Sequence, residues 1–292
     1  MILQFLHKFF YFSPGLKIKI FYFCIEMEGI MEQLSKNFQS RDALINYVKS
    51  LSKWAEGSES CIIGGTEQAY KTLSKIDPVG YGKTRNFGNG KITKLSPYIH
   101  HGIISLNEVR NFALKSNPNI KQNEKFIQEL GWRDFWQRIA AQHPDWIWSD
   151  AEEYKTGFSS SDYSENLPED ILNAQTDVAC INLFIKELIN TGYLHNHARM
   201  YLASYVIHFR RIKWQTGAFW FLRHLLDGDE ASNNFSWQWV ASTFSNKPYI
   251  FNLENVEKYF SGLVDTSPEN NQPLDASYEE LIERLFPNMD KY

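Results

Sequence analysis

The sequence contains few of the features that mark several common protein classes. Only three cysteines occur in 292 residues, and Cys24, Cys61 and Cys180 form no CxxC pair or Cys/His cluster. This spacing predicts reduced thiols in a cytoplasmic protein and no metal site. There is no Walker A or GxGxxG sequence, which argues against a P-loop nucleotidase and a Rossmann dinucleotide domain.

Neither sign of charge dominates the chain. Lys and Arg number 30, Asp and Glu number 34, and the formal net charge is −4. This balance excludes a histone-like protein that binds nucleic acid through its overall charge, but it is compatible with a local basic patch. Aromatic residues are abundant, with 21 Phe, 15 Tyr and 9 Trp. They predict either an unusually aromatic core or a site that uses π systems.

No apolar run is long enough to span a membrane. Two short aromatic runs, at 9–12 and 20–23, are interrupted by Lys, Pro and Gly, and both are far shorter than the roughly 20 residues of a spanning helix. We therefore expect no membrane partner. Our hypothesis is that translation starts at Met27 or Met31 and that the stretch upstream of this start is not native. Residues 1–35 are expected to form an extension ahead of the domain.

Apolar residues recur at intervals of three and four beyond this extension, as in Leu44, Val48 and Leu51. Ser105 followed by Glu108 predicts a capping box at the start of a helix. Few windows alternate with period two. The sequence therefore predicts an all-α, multihelical domain over residues 36–265, followed by a C-terminal tail over residues 266–292.

Three features interrupt this helical pattern. Residues 77–92 hold four glycines and one proline, and we expect a loop there rather than a helix. Residues 262–275 are rich in Ser, Pro and Asn and are expected to be loose. Gly192 is expected to end one helix shortly before the next begins.

The run DGDEASNNFSWQWVAST, which begins at Asp227, concentrates polar and aromatic groups. Asp227 and Asp229 flank a glycine and can present carboxylates to the NH or OH groups of a ligand, while Asn233 offers both a donor and an acceptor. On a helix, Trp237 and Trp239 would be about 200° apart and would face opposite sides. The alternative interpretation is a helix N-cap followed by core tryptophans.

Two further sets of residues have helical spacing at i, i+3 and i+4. The first set is Asn196, Arg199 and Met200, and the second is Glu129, Trp132 and Arg133. The first set is too polar for a core stripe and suits the wall of a pocket. The second is either a surface Arg–Glu pair beside a buried Trp or a pocket rim that stacks on a flat ligand. The hydroxyl-bearing, Gly-rich stretch from Tyr81 to Ser96 can hold a phosphate without a P-loop.

Together and in this order, the stretches resemble the FAD-binding domain of the DNA photolyase/cryptochrome family. The resemblance extends from about Tyr81 to Asn252 and depends on the runs DGDxxxNN…WQWxAST, HNxxRM and ELxWRxF. It implies a multihelical FAD-binding fold. The family usually has an N-terminal α/β lobe that holds an antenna chromophore, and no such lobe is seen here. We therefore expect no antenna chromophore and light capture by FAD alone.

The resemblance also implies which residues hold FAD. They are Tyr81, Thr93, Lys94, Leu95, Ser96, Arg199, Asp227, Asp229 and Asn233. In this interpretation the turn around Thr93 and Ser96 holds the phosphates, and Arg199 pairs with Asp227 beside the isoalloxazine. Asn233 faces flavin N5, and Lys94 stands where the family usually has arginine.

Two tryptophans match the inner members of the family's chain for flavin photoreduction, namely Trp237 and Trp214. The outermost member has no clear match in the sequence. Tyr163, Phe158 and Trp148 are the alternatives.

The resemblance implies a pocket for a flipped pyrimidine dimer. Its predicted catalytic residues are Glu129, Trp132, Asn196, Met200 and Trp239. DNA contacts are expected from Arg85, Arg133 and His197. Arg210, Arg211 and Lys213 are either further phosphate contacts or a solvated helix end.

The expected function is blue-light-driven splitting of cyclobutane pyrimidine dimers, in single- or double-stranded DNA, by electron transfer from reduced FAD. Asn196 after His195 favours this lesion over the (6-4) photoproduct. Two departures from the family pattern weaken the repair prediction more than the FAD prediction: the TGxPxxDA segment reads TDVACINL from Thr176, and Leu253 replaces a proline. The alternative is a cryptochrome-like flavin photoreceptor or redox protein that repairs nothing and acts on a protein partner.

Overall fold

A computed structural model describes residues 34–51 and 59–289 of the chain. The chain divides into two units, Met1–Gly57 and Ser58–Tyr292. The hypothesis of an internal translation start concerns residues outside the described ranges, and the domain boundaries predicted from the sequence stay predictions.

The described part of the first unit contains one helix, α1 (Arg41–Ser50). The helix begins after Ser40, whose hydroxyl accepts a hydrogen bond from the N–H of Ala43 at 3.1 Å. None of its residues is buried.

The second unit is built from helices joined by turns. In chain order they are α2 (Thr66–Leu73), α3 (Pro78–Thr84), α4 (Ser96–His100), α5 (Leu106–Ser116), α6 (Ile120–Gln142), α7 (Glu169–Leu172), α8 (Ala179–Thr191), α9 (Asn196–Ser204), α10 (Trp214–His224), α11 (Glu230–Ala241), α12 (Leu253–Phe260) and α13 (Tyr278–Leu285). Helix α9 continues into a π-helical turn over Tyr205–Phe209. Within the described ranges there is no β-sheet, only an isolated bridge between Ser164 and Ile212. The predicted all-α class is confirmed.

Local signals in the sequence explain several of these helix ends. The capping box predicted at Ser105 and Glu108 is present at the start of α5. Gly192 ends α8 with a positive φ of 67° and donates its N–H to the carbonyl of Leu188 at 2.9 Å, as predicted. Of the helices that the structure describes, none is both long and apolar enough to cross a bilayer.

The main core lies where α8, α9, α10 and α11 meet. Its largest fully buried side chains include Phe184, Tyr201, Tyr205, Trp214 and Phe251. Burying a side chain of this class contributes about 1.5–3 kcal/mol. Helix α11 packs against α9 and α10 and also against the long helix α6, which in turn packs on α3 and α5. This arrangement places α6 opposite α9 and α11.

The expectation of a loop throughout residues 77–92 is wrong in its first half. Helix α3 forms over Pro78–Thr84 because Pro78 occupies the first turn and Asp77 accepts a hydrogen bond from the N–H of Gly80 at 2.8 Å. Proline is tolerated in a first turn, where its missing N–H is not needed. The two glycines of this helix weaken it without preventing it, since tertiary packing against α6 supports it.

Residues 262–275, which were expected to be loose, are held in place by buried contacts. Two short 3₁₀ turns form over Pro268–Asn270 and Gln272–Leu274. Asn271 is fully buried and accepts a hydrogen bond from the N–H of Cys180 at 3.0 Å, and Leu274 is also fully buried. A polar composition gave no sign that one asparagine and one leucine would enter the core.

Candidate functional site

A cavity of about 540 Å³ lies between α6 on one side and α9 and α11 on the other. This volume is in the range of about 300–1,000 Å³ typical of ligand pockets. Every residue predicted to be catalytic or to hold the cofactor lines it, as do Arg85, Arg133 and Trp237. The residues selected from helical spacing and from the family resemblance therefore line one cavity, while their individual roles stay predictions.

An ion pair between Asp227 and Arg199 forms one wall of the cavity. Arg199 Nη2 lies 2.9 Å from Asp227 Oδ2, and Arg199 Nε donates to the carbonyl of Leu194 at 2.8 Å. Burial alone would raise the pKa of Asp227, but the guanidinium of Arg199 outweighs it and holds this pKa below its ordinary value. Asp227 is thus a buried carboxylate whose charge depends on Arg199.

Asp229 combines a structural contact with two contacts inside the cavity. Its Oδ1 accepts the N–H of Ser232 at 2.7 Å and so caps α11. Its Oδ2 accepts hydrogen bonds from Arg133 at 2.8 Å and from Gln137 at 2.6 Å. Arg133 was predicted as a DNA contact at the rim. Its guanidinium is instead held by Asp229, and this position gives the DNA prediction no support.

Helix α11 lines the cavity with an asparagine and two tryptophans. Asn233 lines the cavity and donates to the carbonyl of Ala218 at 3.1 Å. Trp237 is 2% exposed, whereas Trp239 is 40% exposed. The ring of Trp237 packs directly against Gly217 of α10. A Cβ added at Gly217 would overlap this ring. The two rings thus differ in exposure although both line the cavity, and their placement on opposite sides of the helix stays a prediction.

The turn ahead of α4 supplies hydroxyls and a cation to the cavity. Thr93 and Ser96 line it, and Lys94 holds a positive φ of 52° with its ammonium 5.5 Å from the ring of Tyr193. The Leu95 side chain is 2% exposed, so this residue offers a ligand mainly its backbone. Tyr81 lines the same region, and burial raises its pKa. Hydroxyls, backbone and cation together suit a phosphate-bearing ligand.

The opening of the cavity carries exposed aromatic rings and a charged cluster. Trp132 is 46% exposed. Glu129 Oε1 lies 2.8 Å from Lys125 Nζ and 3.4 Å from Arg85 Nη2. Asn196 Nδ2 approaches Met200 Sδ at 3.9 Å on the opposite wall. The opening can therefore stack on a flat group and also hydrogen-bond to it.

Two predicted site residues lie outside the cavity lining. Trp214 is fully buried, and its Nε1 donates to Asp150 Oδ1 at 2.6 Å. His197 is buried, its Nδ1 is 2.9 Å from the carbonyl of Asn86, and its ring packs on Tyr259. Because this residue is 9% exposed and its Nδ1 already has an internal partner, the structure gives the His197 prediction no support.

The basic residues that follow α9, Arg210, Arg211 and Lys213, contact other side chains of the protein. Arg210 makes two hydrogen bonds to Asp170, and Lys213 Nζ lies 2.6 Å from Glu165 Oε1. The guanidinium of Arg211 lies 3.6 Å from the centre of the Phe158 ring. These contacts explain the basic residues without any phosphate contact.

Tyr193 and Ser232 are among the cavity residues that had no clear signal in the sequence. Tyr193 lies beneath the cations of Lys94 and Arg199, and burial raises its pKa to about 12. Ser232 Oγ and Asp227 Oδ1 are buried without a hydrogen-bond partner among the described residues. Buried polar atoms without partners are costly, and a polar ligand in the cavity would satisfy them.

Known proteins resemble the part of the chain that supplies most of the cavity lining. A family model described as the FAD binding domain of DNA photolyase matches residues 126–263. The chain belongs to the DNA photolyase/cryptochrome family. The deoxyribodipyrimidine photo-lyase of Alkalihalophilus pseudofirmus is 32% identical over 206 residues, which cover 67% of this chain and 42% of that protein. The chain thus spans less than half the length of this photolyase.

Solved structures show the same fold. A bacterial class III photolyase from Agrobacterium tumefaciens is 25% identical with a TM-score of 0.55, covering 76% of this chain and 45% of that one. A cryptochrome from Synechocystis sp. is 21% identical with a TM-score of 0.62, covering 78% of this chain and 51% of that one. Both photolyases and cryptochromes therefore share the fold of this chain. The shared part includes the FAD-binding domain.

The residues that line the cavity fit FAD. Hydroxyls and the Lys94 cation suit a diphosphate, and the unpartnered Asp227 Oδ1 and Ser232 Oγ suit polar groups of the cofactor. Arg199 and Asn233 lie in the same cavity beside Trp237.

Proposed function

We propose that this chain binds FAD in the cavity and splits cyclobutane pyrimidine dimers in DNA under blue light. The observation that carries the proposal is that two exposed tryptophans on different helices, Trp132 and Trp239, line the same cavity as the Asp227–Arg199 pair. When bound, FAD supplies light absorption and the electron for ring opening. We further propose that FAD alone captures the light.

In this proposal the two open tryptophans hold the dimer after it leaves the DNA stack. Extrusion of a base costs a few kcal/mol, and less at a lesion that pairs poorly. Stacking on Trp132 and Trp239 would return roughly 1–3 kcal/mol per base. Asn196 and Met200 would form the wall against which the dimer lies.

Glu129, after its carboxylate takes a proton from solvent, would donate a hydrogen bond to a carbonyl oxygen of the dimer and stabilise the negative charge that develops there. At present the Glu129 carboxylate contacts Lys125 and Arg85. Entry of the lesion would replace part of this contact, and Arg85 could then bind a DNA phosphate. Binding should weaken as salt rises, because each phosphate contact releases counterions.

The alternative proposal, a flavin photoreceptor with a protein partner, is favoured by one observation. Trp214 stacks on Trp148, which is 38% exposed, so an electron path could reach the surface. A photoreceptor needs such a path but does not need an open lesion pocket.

The deciding experiment is blue-light repair of thymine-dimer oligonucleotides, single- and double-stranded, by FAD-loaded and chemically reduced protein. We expect light-dependent loss of the dimer, and we expect this loss to be abolished in Trp239→Ala. Phe219→Ala, which removes an exposed ring outside the cavity lining, is the matched control and should repair normally. Absence of repair by protein that holds photoreducible FAD would favour the photoreceptor.

A further inference from the structure

Three tryptophans, Trp237, Trp214 and Trp148, lie between the cavity and the surface along α10. Trp237 lines the cavity and contacts α10 at Gly217. Trp214 lies one helical turn before Gly217 and is fully buried. The ring of Trp148 is stacked on that of Trp214, with 6.5 Å between centroids and 10° between planes, and is 38% exposed.

The other two candidates for the outer position are placed differently. Tyr163 is 3% exposed, stacks on Tyr154 with 4.5 Å between centroids, and shares a hydrogen bond with Thr156. Phe158 covers the guanidinium of Arg211 and carries no group that is readily oxidised. Only Trp148, of these three, combines a stacking contact with Trp214 and an exposed ring among the contacts that the structure describes.

Both outer tryptophans donate their indole N–H to a carboxylate. Trp148 Nε1 donates to Glu230 Oε1 at 2.5 Å, and Trp214 Nε1 donates to Asp150 Oδ1 at 2.6 Å. A neutral indole can only donate at this atom. If an electron is removed from the ring, the adjacent negative charge stabilises the resulting cation, and a carboxylate is positioned to take the N–H proton.

Glu230 differs from Asp150 in its surroundings. The Glu230–Trp148 contact lies at the exposed surface, so a proton taken up there can exchange with water. Asp150 also accepts a hydrogen bond from Gln215 at 3.1 Å, in a half-buried setting beside the fully buried Trp214. The geometry therefore favours charge transfer at Trp214 and proton release at Trp148.

We propose that Trp148 is the surface end of the electron path and that Glu230 is the proton acceptor of oxidised Trp148. This inference rests on the proposed function, because photoexcited, oxidised FAD in the cavity is the oxidant. One electron leaves Trp148 and reaches FAD by way of Trp214 and Trp237. The Trp148 cation then gives its Nε1 proton to Glu230 Oε1 and becomes a neutral radical. An external thiol later returns one electron and one proton.

Flash photolysis of the FAD-loaded protein with oxidised flavin tests the proposal, in H₂O and in D₂O. We expect a long-lived tryptophan radical whose conversion from cation to neutral form is slower in D₂O. Trp148→Phe should lose the long-lived radical. Glu230→Gln keeps an oxygen that accepts the indole hydrogen bond but cannot take the proton, so it should form the cation and lose its conversion to the neutral radical.

Trp146→Phe is the matched control, because Trp146 stacks on His143 with 3.8 Å between centroids and belongs to neither the path nor the cavity lining. It should behave as the unaltered protein does. A long-lived radical that persists in Trp148→Phe would overturn the path, and unchanged conversion kinetics in Glu230→Gln would overturn the proton acceptor.

If Trp148→Phe does not take up FAD, Trp148→Tyr decides the question. A long-lived tyrosyl signal in that variant supports the path, and its absence overturns it. The repair assay uses chemically reduced FAD and does not need this path. Repair without the radical signal would therefore contradict this inference alone, whereas failure of the unaltered chain to bind FAD would contradict the proposed function itself.

Discussion

At the scale of single residues, the Asp227–Arg199 pair controls the charge of the cavity wall. The Asp227 side chain is 2% exposed and that of Arg199 is 23% exposed, so Asp227→Asn would leave the partly buried Arg199 guanidinium without its counter-charge. We expect this change to lower the free energy of unfolding by about 3 kcal/mol and to weaken FAD binding. Urea denaturation and flavin titration measure the two effects.

Asp134→Asn is the matched control for Asp227→Asn. Asp134 also pairs with an arginine, Arg138, but the two side chains are 54% and 73% exposed. An exposed pair contributes less than about 1 kcal/mol, so this variant should unfold almost as the unaltered protein does. Equal losses in the two variants would contradict the role that we give to burial.

Helical spacing together with the family resemblance predicted many of the residues that line the cavity, but not Tyr193 or Ser232. These two signals did not predict most of the hydrogen bonds that side chains form with one another. Arg133 is 96 positions from Asp229, and Trp148 is 82 positions from Glu230, in the hydrogen bonds that join them. No local period carries that information, because such pairs depend on how the helices pack.

At the scale of helices, Gly217 permits the close contact between α10 and α11. A Cβ at this position would overlap the ring of Trp237, and overpacking of a core typically costs about 1–3 kcal/mol. We therefore expect Gly217→Ala to destabilise the protein by about that amount and to slow flavin photoreduction through displacement of Trp237. Thermal unfolding and flash photolysis are the measurements.

Gly131→Ala in α6 is the matched helical control. No atom lies within 4 Å of a Cβ built at Gly131, so the usual preference of helices for alanine should stabilise this variant by about 0.5–1 kcal/mol. The same substitution in two helices should thus have opposite signs. Stabilisation by both variants would show that Trp237 moves aside without cost.

Helix capping and glycine signals located several element ends correctly, as at Ser105 and Gly192. Predictions from composition were wrong where tertiary packing outweighs the local conformational preference of the residues. Helix α3 forms despite two glycines because Asp77 caps it and α6 supports it, and residues 262–275 are fixed because Asn271 and Leu274 are buried. Tertiary contacts of this kind leave no periodic trace in the sequence.

At the scale of the whole molecule, two buried histidines link stability to pH. His195 packs on Phe260, and His208 packs on Phe286 near the C-terminal end of the described chain. Burial lowers the pKa of each imidazole from 6.5 to about 4. As pH falls below 6.5, the unfolded chain binds protons that the folded chain does not yet accept. The free energy of unfolding therefore falls across this interval.

We expect these two histidines to lower the free energy of unfolding by about 4 kcal/mol at pH 5 relative to pH 7, about 2 kcal/mol each. The buried His197, whose pKa is also lowered by burial, adds to this loss. Asp227 adds nothing in this interval, because its pKa lies below its ordinary value of 3.8 and its contribution is lost only in stronger acid. Urea denaturation at the two pH values measures the loss. His208→Gln keeps a donor for the carbonyl of Val240, which His208 Nε2 contacts at 2.9 Å, and should reduce the loss by about 2 kcal/mol. If the loss is the same in this variant, protonation of His208 is not its source.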